Sequence, residues 1–200
     1  DHLTTGFVGT PYLCHVLSEN GHNDLAYKLV QQKDYPSWLY SITKGATTIW
    51  EHWDGIKEDG SFWSADMNSF NHYAYGSIGD WLYRVVGGID TDREKPGFKH
   101  AIIRPQAGPG LSYAKAAFDS MYGEIKSGWE DKGESMTITV SIPANTTAMV
   151  ILPAASPDEI RESEKRIDET DGILEIQQLN HEVKLELGSG NYCFTFPKIK

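Results

Sequence analysis

Between Phe98 and Gly110 the chain reads FKHAIIRPQAGPG, and apolar residues are spaced differently on its two sides. Before it, Tyr12, Leu13, Val16 and Leu17 recur at helical intervals behind Thr10-Pro11, a cap followed by a first-turn proline, and Asn20-Gly21 offers a left-handed stop. Asn23 or Asp24 is then placed to cap a second helix with the stripe Leu25, Leu29 and Val30. A third helix is predicted from Pro36 to Gly45, and a fourth from about Phe70 to Gly88. Beyond Gly110 the period falls to two: MTITVSIPA (136–144) and AMVILPA (148–154) alternate apolar with small polar residues, and KLELGSGNYCFTF (184–196) ends in an aromatic strand. The expected fold class is therefore α+β and multidomain, with helices over residues 1–104 and an antiparallel β-sandwich over 105–200. The charged run SPDEIRESEKRIDETDG (156–172) is read as a solvated connection between strands.

Composition narrows the function. A balance of 18 Lys+Arg against 28 Asp+Glu, with no basic stripe, argues against nucleic acid as a partner. No run approaches the roughly 18 apolar residues of a membrane span, so no membrane partner is expected either. The first residues, DHLTTGFVGT, have no initiator Met and no signal-peptide pattern, and read as though cut from something longer. Cys14 and Cys193 lie far apart in unlike contexts and are read as free thiols. Of the 23 aromatic residues, 16 fall in residues 1–100, more than the core of four short helices needs. The excess is expected to face a ligand or a missing part of the domain.

Chemistry concentrates in TTIWEHWDG (47–55). Glycosides are cleaved by two carboxyl groups, and aromatic faces suit the apolar CH patches of a pyranose while excluding the water that would hold a carboxyl acidic. Glu51, between Trp50 and Trp53, fits such a group, with both indoles as candidate sugar contacts. Asp54 could also touch substrate, although Asp-Gly is equally a turn signal. His52 would point away from Glu51 in an extended segment and reads more simply as packed. A second constellation, NSFNHYAYGSIGDWLYR (68–84), offers Asn71 and His72 as hydrogen-bonding groups for a sugar; the plainer reading makes Asn71 a helix cap and His72 an interior histidine. The seven histidines show no metal-binding spacing, and there is no nucleophile elbow, phosphate loop or dinucleotide fingerprint, so neither metal nor cofactor is expected.

The segments HLTTGFVGTPYL (2–13), LSENGHNDLAYKLV (17–30), YPSWLYSITKGATTIWEHWDG (35–55) and NSFNHYAYGSIGDWLYRVVGGI (68–89) resemble, in order and spacing, consecutive motifs of bacterial α-L-rhamnosidases, family 78 of the glycoside hydrolases. The likeness continues through RPQAGPGLSYAKAAFDSMYGEIKSGWE (104–130) and IPANTTAMVILP (142–153). It implies that residues 1–104 are the last helices of an (α/α)6 toroid and that a β-sandwich follows. It also implies inverting hydrolysis of terminal α-L-rhamnose, with Glu51 as general base and His72 on the sugar. His52 stands where the family carries Arg. The family's general acid and most of its substrate-binding tryptophans lie upstream of anything in this chain. The implied partners are a rhamnose-containing glycoside or polysaccharide and the missing N-terminal part of the same catalytic domain, and the usual setting of such enzymes is extracytoplasmic, in a bacterium. By itself the chain is expected to be inactive. Two rival readings are a non-catalytic carbohydrate-binding fragment and another toroid hydrolase, such as a glucosidase or trehalase relative.

Overall fold

Thr10-Pro11 does open a helix, but with Thr10 inside it. In the computed structural model, which describes residues 2–154 and 156–199, α1 spans Thr10–Glu19 with Gly9 at the cap position, and the Thr10 hydroxyl donates to the Gly6 carbonyl at 2.8 Å. Asn20-Gly21 ends it as the sequence predicts: Gly21 takes φ 78° and the His22 N–H returns to the Leu17 carbonyl at 2.8 Å. Asn23 begins α2 (Asn23–Gln31) without capping it; its Oδ1 accepts from the Ser18 hydroxyl at 2.8 Å instead, tying the two helices side by side. Ser18 also receives the Trp81 indole N–H at 2.9 Å, and the Tyr27 ring meets Trp81 edge-on at 5.2 Å. This is the centre of the helical unit, which comprises the residues up to Trp81 together with Gly108–Gly110. Gly108 fits there because a Cβ would lie 2.3 Å from the Tyr27 ring. Burial pushes the Cys14 thiol up to about 11 and raises the Tyr27 hydroxyl further.

The other two helices are shorter than predicted. α3 (Trp38–Thr43) begins after Pro36, where the buried Ser37 hydroxyl accepts the Tyr40 N–H at 3.1 Å. The predicted fourth helix does not start at Phe70. A 3₁₀ turn, Ala74–Ser77, leads into α4 (Ile78–Trp81), because the backbone of 69–72 is committed to other partners described below.

The second unit, Leu82–Ala107 with the residues from Leu111 on, is β-rich. It opens on a π turn, Leu82–Val86, whose Val86 carbonyl accepts the buried Trp129 indole N–H at 2.9 Å. Its strands are β1 (Ile89–Thr91), β2 (His100–Ile103), β3 (Tyr113–Ser120), β4 (Gly123–Asp131), β5 (Ser135–Ile142), β6 (Thr147–Leu152), β7 (Arg161–Glu162), β8 (Lys165–Arg166), β9 (Ile173–Leu179), β10 (Glu182–Leu187) and β11 (Gly190–Pro197). They form two sheets, ordered β1-β2-β6-β10-β9 and β3-β4-β5-β11-β7-β8. The period-two pattern buries one face of each: Val150, Leu152, Leu185, Leu187, Phe194 and Ile138 are all essentially inaccessible. The expected purely antiparallel sandwich is amended at one pair, β2 with β6, which run parallel with His100 opposite Thr147.

The two compact units divide after Trp81, with β1 and β2 hydrogen-bonded into a sheet of the second; their shortness and the intervening TDREKPGF hide that pairing from a periodicity reading. One further expectation changes. The charged run 156–172 is more than a solvated connection. It contains 3₁₀ turns at Pro157–Glu159 and Ile167–Glu169 around a β7–β8 hairpin that pairs with β11, and it buries Ile160 and Ile167. Its buried Glu162 is held by the Ser163 hydroxyl at 2.8 Å and the Cys193 N–H at 3.3 Å. Cys14 and Cys193 are free, as expected.

Candidate active site

The two aromatic motifs of the helical unit lie against each other. Residues 48–51 lie beside 69–72: the Glu51 N–H donates to the Ser69 carbonyl at 2.9 Å, the His72 N–H donates to the Ile49 carbonyl at 2.9 Å, and the Thr48 hydroxyl donates to the Phe70 carbonyl. This pairing takes the backbone that a helix from Phe70 would have needed. It also brings Glu51 and His72, 21 positions apart in sequence, onto adjoining stretches.

Each sequence-predicted site residue has a definite place. Glu51 is half-buried, and its Oε2 accepts the Ser69 N–H at 3.1 Å, so the same residue anchors both its backbone and its carboxylate. Among the described residues nothing donates to its Oε1, which leaves that oxygen able to take a proton from a bound molecule. His72 accepts the Ala74 N–H on Nδ1 at 3.3 Å, which puts the proton of the neutral ring on Nε2. One ring face is stacked on Phe7 at 4.9 Å and 14°. Asn71 is exposed and lies three residues before the 3₁₀ turn, so it is no helix cap; its N–H is engaged by the Ser69 hydroxyl at 3.3 Å.

The tryptophans part company. Trp53 lies flat on Tyr75 at 3.7 Å with Trp38 edge-on at 5.3 Å, and its indole N–H is buried with no acceptor among the described residues. Trp50 is only 5% exposed, edge-on to Phe70 and covered by Gly55, where a Cβ would stand 3.0 Å from its ring. Asp54 sits in the turn closed by Gly55 N–H to the His52 carbonyl at 3.2 Å. The Asp-Gly signal suggested a carboxylate bonded to its own backbone, and no such bond is present among the described residues; the Asp54 charge is felt by two tyrosines. Burial, then the Asp54 charge, raises the Tyr35 hydroxyl, and burial, Glu58 and Asp54 together raise Tyr40. His52 stacks on Trp63 at 3.6 Å, as the packed reading had it.

Ser69, Phe7 and Tyr75 were missed by sequence reasoning. Ser69 acts through its peptide group and Phe7 through a ring 65 positions from its partner, so neither carries a local signal. No group of three or more potential metal ligands occurs among the described residues.

Residues 1–86 match the family model described as the bacterial alpha-L-rhamnosidase 6 hairpin glycosidase domain, and residues 88–167 match the bacterial alpha-L-rhamnosidase C-terminal domain. An alpha-L-rhamnosidase of Streptomyces avermitilis is 43% identical over 97% of this chain, and one of Formosa agariphila is 39% identical over 97%. The chain spans about a fifth of the length of these curated relatives, 18% and 21%. Among solved structures, the S. avermitilis alpha-L-rhamnosidase complexed with L-rhamnose superposes on all of this chain with a TM-score of 0.87 at 41% identity, over 18% of its own length. The alpha-L-rhamnosidase of Dictyoglumus thermophilum covers 98% of this chain with a TM-score of 0.84 at 34% identity, over 21% of its own length.

Proposed function

Because residues 1–86 and 88–167 belong to the two consecutive domain families of bacterial alpha-L-rhamnosidases that they match, we propose that this chain is the C-terminal part of an inverting α-L-rhamnosidase. The whole enzyme removes terminal α-L-rhamnose from glycosides, with Glu51 as general base. The observation that carries this reading is the anchorage of Glu51: one carboxylate oxygen is held by the Ser69 N–H and the other is left for a substrate-side water. In an inverting enzyme the base deprotonates that water as it attacks the anomeric carbon, while an acid on the other side of the ring protonates the leaving oxygen. The two carboxyl groups stand roughly 6.5–9.5 Å apart to leave room for the water. The acid belongs to the upstream part of the catalytic domain. His72, with its N–H on Nε2, donates to a rhamnose hydroxyl; Asn71, Trp53 and Asp54 complete the near side of the sugar, and Trp50 supports them.

The helices fit a partial toroid for a second reason. α1 leaves Tyr12 and Val16 exposed, at 67% and 52%, with Val8 before it at 85%, an apolar stripe suited to packing against further helices of the same domain.

The test uses the full-length protein, with p-nitrophenyl α-L-rhamnoside as substrate. Glutamine at position 51 keeps the shape of the side chain and cannot take a proton, so Glu51→Gln lowers kcat by roughly 10²- to 10⁴-fold while KM holds. Proton NMR of the wild-type reaction shows the β anomer first. Near-normal turnover of the variant, or the α anomer as first product, defeats the assignment of Glu51 as the base of an inverting enzyme.

A further inference from the structure

The TTGFVGT stretch (4–10) forms a closed turn at the entrance to α1. The buried Thr10 hydroxyl donates to the Gly6 carbonyl at 2.8 Å and lies 2.9 Å from the Thr5 hydroxyl, and the Thr10 N–H returns to the same Gly6 carbonyl at 3.0 Å. Gly9 lets the turn close tightly, since a Cβ there would stand 3.1 Å from the Thr5 methyl. Two large side chains project from this small frame. Val8 is 85% exposed, whereas Phe7, at 42%, lays its ring along His72 with the centroids 4.9 Å apart and the planes 14° from parallel. A side chain held only for its apolar area would be buried more completely than this.

The flat contact supplies what the hydrogen bond to His72 lacks. The Ala74 N–H on Nδ1, at 3.3 Å, fixes which edge of the imidazole turns toward the backbone. The terminal torsion of a histidine is broad, so one long bond leaves the ring plane free to rock. An aromatic face laid along the ring removes that freedom and holds Nε2–H in one direction. Direction matters to a donor, because a hydrogen bond weakens steeply once its angle falls below about 120°.

We propose that Phe7 is a positioning residue: the TTGFVGT turn presses its ring against His72, so that Nε2–H is already aimed when the rhamnose hydroxyl arrives and the ordering of the imidazole is not charged to binding. This rests on the reading of His72 as a sugar donor given above. The Phe7 ring also reaches Tyr75, at 5.2 Å and 49°, and Trp53 lies flat on Tyr75. A loss transmitted through that stack is distinguishable from one transmitted through the imidazole, because only the second vanishes when His72 is removed.

A double-mutant cycle of Phe7→Leu and His72→Ala in the full-length protein, with p-nitrophenyl α-L-rhamnoside as substrate, is the test. His72→Ala raises KM by about tenfold or more. Phe7→Leu keeps the apolar bulk and loses the flat face; it raises KM by about fivefold to tenfold while kcat changes by less than about threefold, the pattern of lost sugar binding. In the His72→Ala background the same Phe7→Leu change adds less than about twofold. Phe7→Tyr, which restores a flat ring, recovers most of the loss. If Phe7→Leu melts early, Phe7→Met carries the same cycle with an unbranched side chain. Equal KM increments in the two backgrounds, or a Phe7→Leu variant with wild-type KM beside a costly His72→Ala, overturn the positioning role alone. A His72→Ala variant with wild-type KM defeats the sugar contact assigned to His72 and the positioning role with it, and leaves the Glu51 assignment to its own variant.

Discussion

The two units of this chain bury their large side chains by different means, and each leaves some in solvent, as Tyr113, Met121 and Leu174 of the β unit show. In the β unit, alternation delivers Val150, Leu152, Leu185, Leu187, Phe194 and Phe196 to a closed interior, and the polar members of the same strands face out. In the helical unit, Val8, Tyr12, Val16, Ile42, Phe62, Met67 and Tyr73 are all more than half exposed, while polar groups such as Ser18, Ser37 and the Trp53 indole N–H are buried. The β unit satisfies itself by the hydrophobic effect on a regular lattice. The helical unit is organised by hydrogen bonds and ring stacks around two irregular segments, and it leaves several apolar side chains in solvent.

That contrast can be broken outright by separating the pieces. Residues 82–200, produced alone, are expected to unfold in a single cooperative transition by calorimetry, whereas residues 1–81 give no such transition; a cooperative melt from the helical piece would abolish the distinction. Within the β unit the largest single loss is expected from Phe194→Ala, fully buried between the sheets, at about 3–5 kcal/mol in a denaturant titration. A loss under 1 kcal/mol would mean that the interior is less tightly closed than its burial implies. In the helical unit a polar change should matter nearly as much. Ser18→Ala strips the Trp81 N–H of its acceptor and Asn23 Oδ1 of a donor, for a cost of about 1–3 kcal/mol. If instead Ser18→Ala is neutral by the same titration, hydrogen bonding does not organise that unit.

Much of the architecture was legible because local chemistry and final environment agreed. Asn20-Gly21 ends α1 by backbone geometry alone, and the alternation in 136–142, 148–152 and 184–196 needs only a sheet with one buried face. What stayed hidden depends on pairing across distance. The start of the 3₁₀ turn at Ala74 is fixed by bonds from 69–72 to 48–51, and β1 and β2 are strands because of partners they meet later in the chain. The candidate site was legible in part: the crowding of TTIWEHWDG pointed to Glu51, only the resemblance to a known family singled out His72, and residue type alone could not distinguish the inward Trp50 from the stacked Trp53. Nor could it reveal that a peptide N–H, that of Ser69, holds the carboxylate.

The parallel pairing of β2 with β6 bears on how the protein is made. β2 lies between β1 and β6, and β6 in turn lies between β2 and β10. On a ribosome adding roughly 5–20 residues per second, Ile89–Ile103 emerges on the order of seconds before Thr147–Leu152 exists to receive it. During that interval Ile89, Ala101 and Ile103, all destined for the interior, are held in the nascent chain with an unfilled edge. The charged residues of TDREKPGF between them are of the kind that discourages an unpaired edge from pairing with other chains.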